Sequence, residues 1–415
     1  MRDIYTGIDI GSDSIKIVIS EFLDNRFNIL ASTNVRSTGI KKGLVVDKEL
    51  AINSLKLAIK ELEPSIGVKI DKAIITVPSN ERHFSVVSGV TRIENEDGIV
   101  TGNDISSALE NSVIDKIPPR DGLVTVIPIT FSVDEGESVH DPKGMQGEYL
   151  EVKAVLVSAP KRYVIPYLEI LDECGIEVED ITFGSIGDYY EAKTHDMDKS
   201  LGAVINIGSD KIDVSIFNKG IIIKEENIDL GSKNIDKDIS YIYGVDLTTS
   251  RTLKENFAVC SRRYADVNDV LEIETKSGDK IIINQYEISE VVESRVVELL
   301  KLAKKQINNL TKRKISYIIV TGGISELIGF SYVVENTLGI NATTLNITTI
   351  GIRNNKYSSA SGIIKYYNEK LKLREQSSSM FDDDKIDEML NNKRSIKKTT
   401  NDTIVSKVFG YFIGN

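Results

Sequence analysis

Short apolar runs punctuated by polar turns dominate the chain, and their periods predict strands alternating with helices. Ile8–Ile19 (IDIGSDSIKIVI) reads as an apolar strand, a Gly-Ser-Asp turn and a second apolar strand, the pattern of a β-hairpin with a tight polar tip. Lys48–Leu62 places Leu50, Ile52, Leu55, Leu57, Ala58 and Leu62 near the helical period. Lys72–Pro78 reads as a buried strand, and Asp104–Ile117 as a helix stopped at Pro118-Pro119. Leu123–Val133 and Tyr149–Ser158 are extended stretches on either side of the polar loop Asp134–Gly147. Tyr163–Glu173 and the longer Glu287–Leu310 are predicted helices, and Ser316–Val320 is a buried strand ending at Thr321-Gly322-Gly323. The alternation predicts an α/β architecture with mostly buried sheets.

The opening pattern recurs. Ile205–Ile216 (INIGSDKIDVSI) matches the first hairpin at seven of twelve positions, turn included, so the chain reads as two related halves. From about Leu373 the pattern lapses into a polar, charged stretch, predicted as a flexible linker over 373–401 with a reach of roughly 30 Å. Apolar residues then return. On a helix at 100° per residue, Ile404, Val405, Val408, Phe409, Phe412 and Ile413 fall within an arc of about 180°, with Asp402 as N-cap. Lys393, Arg394, Lys397, Lys398 and Lys407 set five basic residues against the one acid Asp402 over 391–415. An amphipathic helix at 402–415 of this kind suits an in-plane anchor on an anionic membrane; the alternative is a helix docking back on its own domain.

Composition narrows the classes. A chain of 415 residues has room for several cores, and 41% hydrophobic with 27% charged residues is an ordinary globular balance. The net charge of -11 argues against a general nucleic-acid binder, so any contact with a polyanion or membrane must come from a local basic patch. Two cysteines, Cys174 and Cys260, make no disulfide framework, and three histidines without CxxC or HExxH make no histidine-rich metal site. No run of 18 apolar residues and no signal-like segment near the start leave a cytoplasmic protein as the expectation.

The turns carry the candidate chemistry. Asp9 at a strand end suits Mg²⁺ held through water; Gly11, Ser12 and Asp13 offer a tight turn of N–H groups to an anion, and Lys16 supplies charge for phosphate. In the second copy Gly208 and Ser209 stand in the same turn, and Asn206 occupies the place of Asp9. Gly322, Gly323 and Ser325 form a strand-ending turn that a flat adenine or ribose can approach. The hairpin pair predicts a nucleotide clamped between two lobes.

These three motifs resemble the two phosphate motifs and the adenosine motif of the actin, sugar-kinase and heat-shock-chaperone superfamily. Asp141–Val152 (DPKGMQGEYLEV) resembles the DPxGMxGxxLEV signature of the FtsA family, actin homologues of bacterial cell division, and the likeness runs from about residue 4 to 368. The resemblance implies an actin-like duplicated two-lobe ATPase fold with an extra small α+β subdomain in the first lobe. It implies subdomain 1A at 1–83, 161–197 and 352–372, subdomain 1C at 84–160, subdomain 2A at 198–225 and 306–351, and subdomain 2B at 226–305. It further implies binding of ATP with Mg, self-polymerisation on the cytoplasmic membrane face at the division septum, capture of the FtsZ C-terminal peptide by subdomain 2B, and recruitment of later divisome proteins. Lys254 fits a family nucleotide residue, and Arg295, in an E-x-R-x-x-E-L-L context, is the candidate for the peptide. Departures matter too: Asn206 replaces an aspartate, Arg251 replaces an acidic residue, and Asp210 would repel a triphosphate unless a cation offsets it. With no residue standing out as a catalytic base, the expectation is ATP binding with weak or absent hydrolysis. A sugar-kinase-type phosphotransferase and an actin-like pilus-assembly adaptor are the alternatives.

Overall fold

Two five-stranded sheets of the same topology organise the chain, and the computed structural model describes residues 2–24 and 26–389. Across the first sheet the strands run Glu177–Phe183, Lys72–Val77, Asp3–Ile10, Ser14–Leu23, Arg26–Arg36. Across the second they run Ala342–Thr344, Tyr317–Thr321, Leu201–Ile207, Ile212–Asn218, Ile221–Ile228. Each sheet is an antiparallel three-strand meander extended by two parallel strands, which need crossover connections. The duplication expected from the repeat is present strand for strand. Ile15, Ile17, Val18 and Ile19 are all fully buried, which explains why the sequence shows a continuous apolar run rather than alternation: both faces of the sheet are covered.

The helix Lys48–Ile66 starts at Asp47, whose carboxylate accepts from the Leu50 N–H at 3.0 Å, and stops at Gly67 in the left-handed conformation. Its apolar stripe of Ala51, Leu55, Ala58, Leu62 and Ile66 faces the first core. Between the parallel strands of the first lobe lies an inserted unit with its own core around Ile105, Phe131, Leu150 and Val152. It comprises strands His83–Arg92, Asp121–Val133 and Tyr149–Pro160, with helix Gly102–Val113. That helix opens earlier than its sequence signal because Thr101 and Asp104 form a capping box, and it closes short of Ile117 as the backbone turns over at Asp115, φ 57°. The second lobe carries helices Lys233–Tyr243 and Leu247–Asn256, the hairpin Val270–Glu274/Lys280–Asn284 and the long helix Gln285–Leu310.

Helices Gly184–Ala192 and Ser358–Leu373 cross at the join of the lobes. They meet backbone to backbone: a Cβ on Gly362 would overlap the Gly187 carbonyl oxygen, and one on Gly187 would overlap that of Ser359.

The expected linker is corrected at its start. Residues 374–389 lie along the first lobe: the Met380 N–H donates to the Ile4 carbonyl at 2.9 Å, the Ile4 N–H donates to Ser379 Oγ at 3.3 Å, and Lys385 pairs with Asp71. Met380, Phe381 and Met389 are buried, and 383–389 are helical. Composition averaged over the stretch hid these few anchoring side chains. The segment also covers an opening, since Lys72–Val77 pairs with Asp3–Ile10 only at Gly7 and Ile8. The rest of the linker, and the expected anchor helix with Ile404, Val405, Lys407, Val408, Phe409, Phe412 and Ile413, lie outside the described residues.

Candidate nucleotide site

Both hairpin tips open into one cleft of about 450 Å³ between the lobes. The two turns close alike, Gly11 N–H donating to Ser14 O at 3.1 Å and Gly208 N–H to Lys211 O at 3.0 Å. Of the residues singled out for nucleotide and metal, Asp9, Gly11, Ser12, Asp13, Lys16, Asn206, Gly208, Ser209, Lys254, Gly322 and Gly323 all line this cleft. Ser325 does not. It is buried behind the Gly322 turn, donating to the Gly322 carbonyl at 2.7 Å and accepting from Asn355 Nδ2 at 2.8 Å, so it supports the turn. Gly322 sits at φ +108°, where a Cβ would strike the Ile207 carbonyl, whereas a Cβ on Gly323 would meet nothing within 4 Å and leaves room for a ligand.

On the first tip, Lys16 Nζ lies 3.0 Å from Asp9 Oδ2, and Asp9 Oδ1 accepts from Thr76 at 2.8 Å. A Cβ on Gly11 would stand 3.2 Å from that ammonium, so the glycine makes its space. Ser12 Oγ accepts from the Gly43 N–H at 3.2 Å. Asp13 is committed elsewhere: Arg251 reaches from the second lobe and grips both its oxygens, at 2.8 and 2.9 Å. The residue that looked out of place in the sequence therefore bridges the mouth of the cleft.

The second tip turns toward the opposite lobe. Asp210 pairs with Lys233 at 3.0 Å and accepts from the Lys42 N–H at 3.3 Å, so the expected repulsion of a triphosphate is offset by these partners. Lys211 lies 3.1 Å from both Ser79 Oγ and Asp213. Nearby, Arg82 of the first lobe and Glu225 of the second form a buried pair at 3.4 Å; burial raises the Glu225 pKa, opposed by Arg82. Lys254 is buried against Asp236 at 2.7 Å, and burial raises the Asp236 pKa despite that cation.

Three residues in the cleft or behind it carried no sequence signal. Asp188, wholly buried on the helix Gly184–Ala192, accepts from Asn206 Nδ2 at 2.6 Å, Ser358 at 2.5 Å and Ser359 at 2.8 Å. Burial pushes its pKa up to about 7 against those hydrogen bonds, with the Asp9 charge adding to the rise. Asn206 thus gives its amide nitrogen to Asp188 and keeps its carbonyl oxygen for other partners. Lys356 lines the cleft with no carboxylate within 4 Å among the described residues, and burial, then the charge of Lys16, lowers its pKa. Asn355 donates from its backbone N–H to Glu326 at 2.6 Å and shapes the same wall. No motif marks 354–356; only the fold brings them to the cleft.

Arg295, the expected peptide contact, lies outside the cleft and is engaged within the chain. Its guanidinium holds Asp238 through two hydrogen bonds of 2.6 and 2.9 Å and Glu298 at 2.5 Å, joining the helices Lys233–Tyr243 and Gln285–Leu310.

A duplicated two-lobe fold, with matched hairpins and a glycine turn around one cleft, defines the actin-like class of nucleotide-binding proteins. Solved structures agree on the fold: the PilM-PilN type IV pilus biogenesis complex matches with a TM-score of 0.59 at 15% identity, covering 89% of this chain and 98% of that one. MreB5 of Spiroplasma citri bound to ADP matches at 0.53 and 12% identity, covering 89% and 98%. The family model for Cell division protein FtsA matches residues 203–362, and that for the SHS2 domain inserted in FTSA matches 81–158, the inserted unit described above. Cell division protein FtsA of Bacillus subtilis is 27% identical over 368 residues, covering 88% of this chain and 83% of the relative; that of Enterococcus hirae is 24% identical over 366 residues, covering 87% and 82%. Along most of its length the chain is thus similar to FtsA, and the models and relatives together support an actin-like cell-division protein. No helix among the described residues is long and apolar enough to cross a membrane.

Proposed function

We propose that the protein binds ATP with Mg²⁺ between its lobes, assembles into filaments on the cytoplasmic membrane face at the septum, and tethers FtsZ there. The convergence of both hairpin tips on one cleft carries the nucleotide reading. Lys16 and Lys356 supply cationic charge for phosphates, and the Gly322-Gly323 turn supplies a wall without side chains. The donor set fits a metal brought in with the nucleotide. Among the described residues no three carboxylates, imidazoles or thiols form a cage, as expected where Mg²⁺ keeps its waters and takes phosphate oxygens beside one carboxylate. Asp9, with the Asn206 carbonyl, would hold it, and the ion would neutralise phosphate charge. Asp13, Asp210 and Asp213 are each paired with a cation of the chain, and the second tip brings an amide where its repeat brings a carboxylate. Both features favour binding with weak or absent hydrolysis over turnover.

Segment 402–415 is read as the membrane anchor; several such short helices side by side on a filament supply the avidity one lacks. The unit at 226–305 is read as the FtsZ-peptide site, where a peptide carboxylate would exchange with Asp238 or Glu298 at Arg295. Later divisome proteins are the further partners, and nucleic acid is not one. Titration calorimetry with ATP, with and without Mg²⁺, tests the core claim. Mg²⁺-dependent binding should weaken roughly tenfold in Asp9→Ala and in Lys356→Met. Absence of binding, or affinity indifferent to both substitutions, would overturn it.

A further inference from the structure

At the end of the first lobe away from the nucleotide cleft lies a second concavity of about 500 Å³, between the helix Lys48–Ile66, the loop at 67–69 and Cys174. The strand Lys72–Val77 begins just past this loop and ends in the cleft, which fixes the two sites at opposite ends of one sheet. Ile59, Pro64 and Val68 line the groove, and Lys56, Lys60 and Lys69 stand exposed around it. Among the described residues, none of these three lysines has a carboxylate within 4 Å, although Lys48 and Lys72 on the same flank are paired with Glu169 and with Glu177 and Glu179. The one carboxylate in the lining, Glu63, is turned to the Ile70 N–H at 3.0 Å. Leu57, 59% exposed, follows Lys56 on the helix and precedes Lys60 by one turn.

The described chain also ends here. Lys385 pairs with Asp71, two residues beyond Lys69, and Met389 is buried one turn later. The 26 residues that follow carry five basic side chains and one acid. They carry the same charge as the groove, so one anionic surface would attract both.

We propose that this end of the first lobe is a second contact with an anionic lipid surface, Lys56, Lys60 and Lys69 meeting headgroup phosphates beside Leu57. The proposal rests on reading 402–415 as a membrane anchor, and adds what that helix alone does not give: an orientation with the cleft turned away from the bilayer. Lysines near an anionic leaflet are attracted within a Debye length, and tethering by the tail keeps them in range. A broad basic rim with an exposed leucine suits a surface better than a slot for one peptide.

Full-length protein is co-sedimented with phosphatidylcholine vesicles with and without phosphatidylglycerol. The variant K56Q/K60Q/K69Q should lose roughly tenfold in affinity for the anionic vesicles, and K56R/K60R/K69R should keep it. These side chains are exposed and have no carboxylate partner among the described residues, so the unfolding midpoint should stay unchanged. Equal binding by the glutamine variant and the parent overturns the proposal and leaves the anchor standing. No vesicle binding by the parent overturns the anchor reading itself. If the glutamine variant keeps vesicle binding but loses binding to a polyglutamate peptide, the surface serves an acidic protein segment and the lipid proposal falls.

Discussion

In the first hairpin, Lys16 reaches across to Asp9 and both face the space between the lobes, whereas in the second the position of Asp9 is an amide tied down to the buried Asp188. The tips diverge further: Asp13 is drawn into a bridge with Arg251 at the mouth, and Asp210 and Lys211 reach across to Lys42 and Ser79 of the other lobe. Seven shared residues and the same turn geometry thus support two tasks, one facing a ligand and one holding the lobes together. What separates them is a few side chains: Asp9 against Asn206, Ser14 against Lys211 and Lys16 against Asp213.

The strongest test sets the lysine of one hairpin against the lysine of the other. Lys16→Met should weaken ATP binding on the order of a hundredfold, since it removes a cation and leaves Asp9 with only its Thr76 hydrogen bond in a confined site, whereas Lys211→Met should change affinity only a few-fold. Equal losses in calorimetry would erase the distinction between the tips. A smaller effect is expected from Asn206→Asp, which makes the second hairpin resemble the first. The new carboxylate would face Asp188 at hydrogen-bond distance, so the thermal midpoint should fall by roughly 5 °C without Mg²⁺ and recover when Asp188→Asn is added. An unchanged midpoint would mean that Asp188 does not feel the hairpin.

The mildest expected effect is on the pH profile. The Asp188 carboxyl titrates near 3.8 when unfolded and at about 7 when folded, so between those values the folded protein holds the extra proton. Its contribution to stability is therefore complete below about pH 4, falls as pH rises toward 7, and is flat above. Asp188→Asn should flatten that slope in unfolding midpoints collected across the range; a slope identical to the parent's would assign it to other groups.

Much of the architecture was legible because it rests on local pattern: the repeated hairpin and the Gly-Gly turn announce themselves within a dozen residues, while the inserted unit at 84–160 was implied by the family resemblance carried by Asp141–Val152. The site was legible only where it is built from those motifs. Lys356 and Asp188 come from segments without a signature, and their meaning depends on which strands they end up beneath. Ser325 sat inside a motif, and only the fold shows its hydroxyl turned away from the ligand space. The stretch 374–389 shows the opposite failure, where averaged polarity concealed Met380 and Phe381, two side chains with a core to enter.

The contact between Gly187 and Gly362 has a mechanical consequence. Because the two helices touch through bare backbone, neither can slide along the other without driving atoms together, and Asp188, next to Gly187, is held in register with Asn206. Even one methyl group added there would prise the helices apart, and the damage would reach the hairpin through its neighbour Asp188.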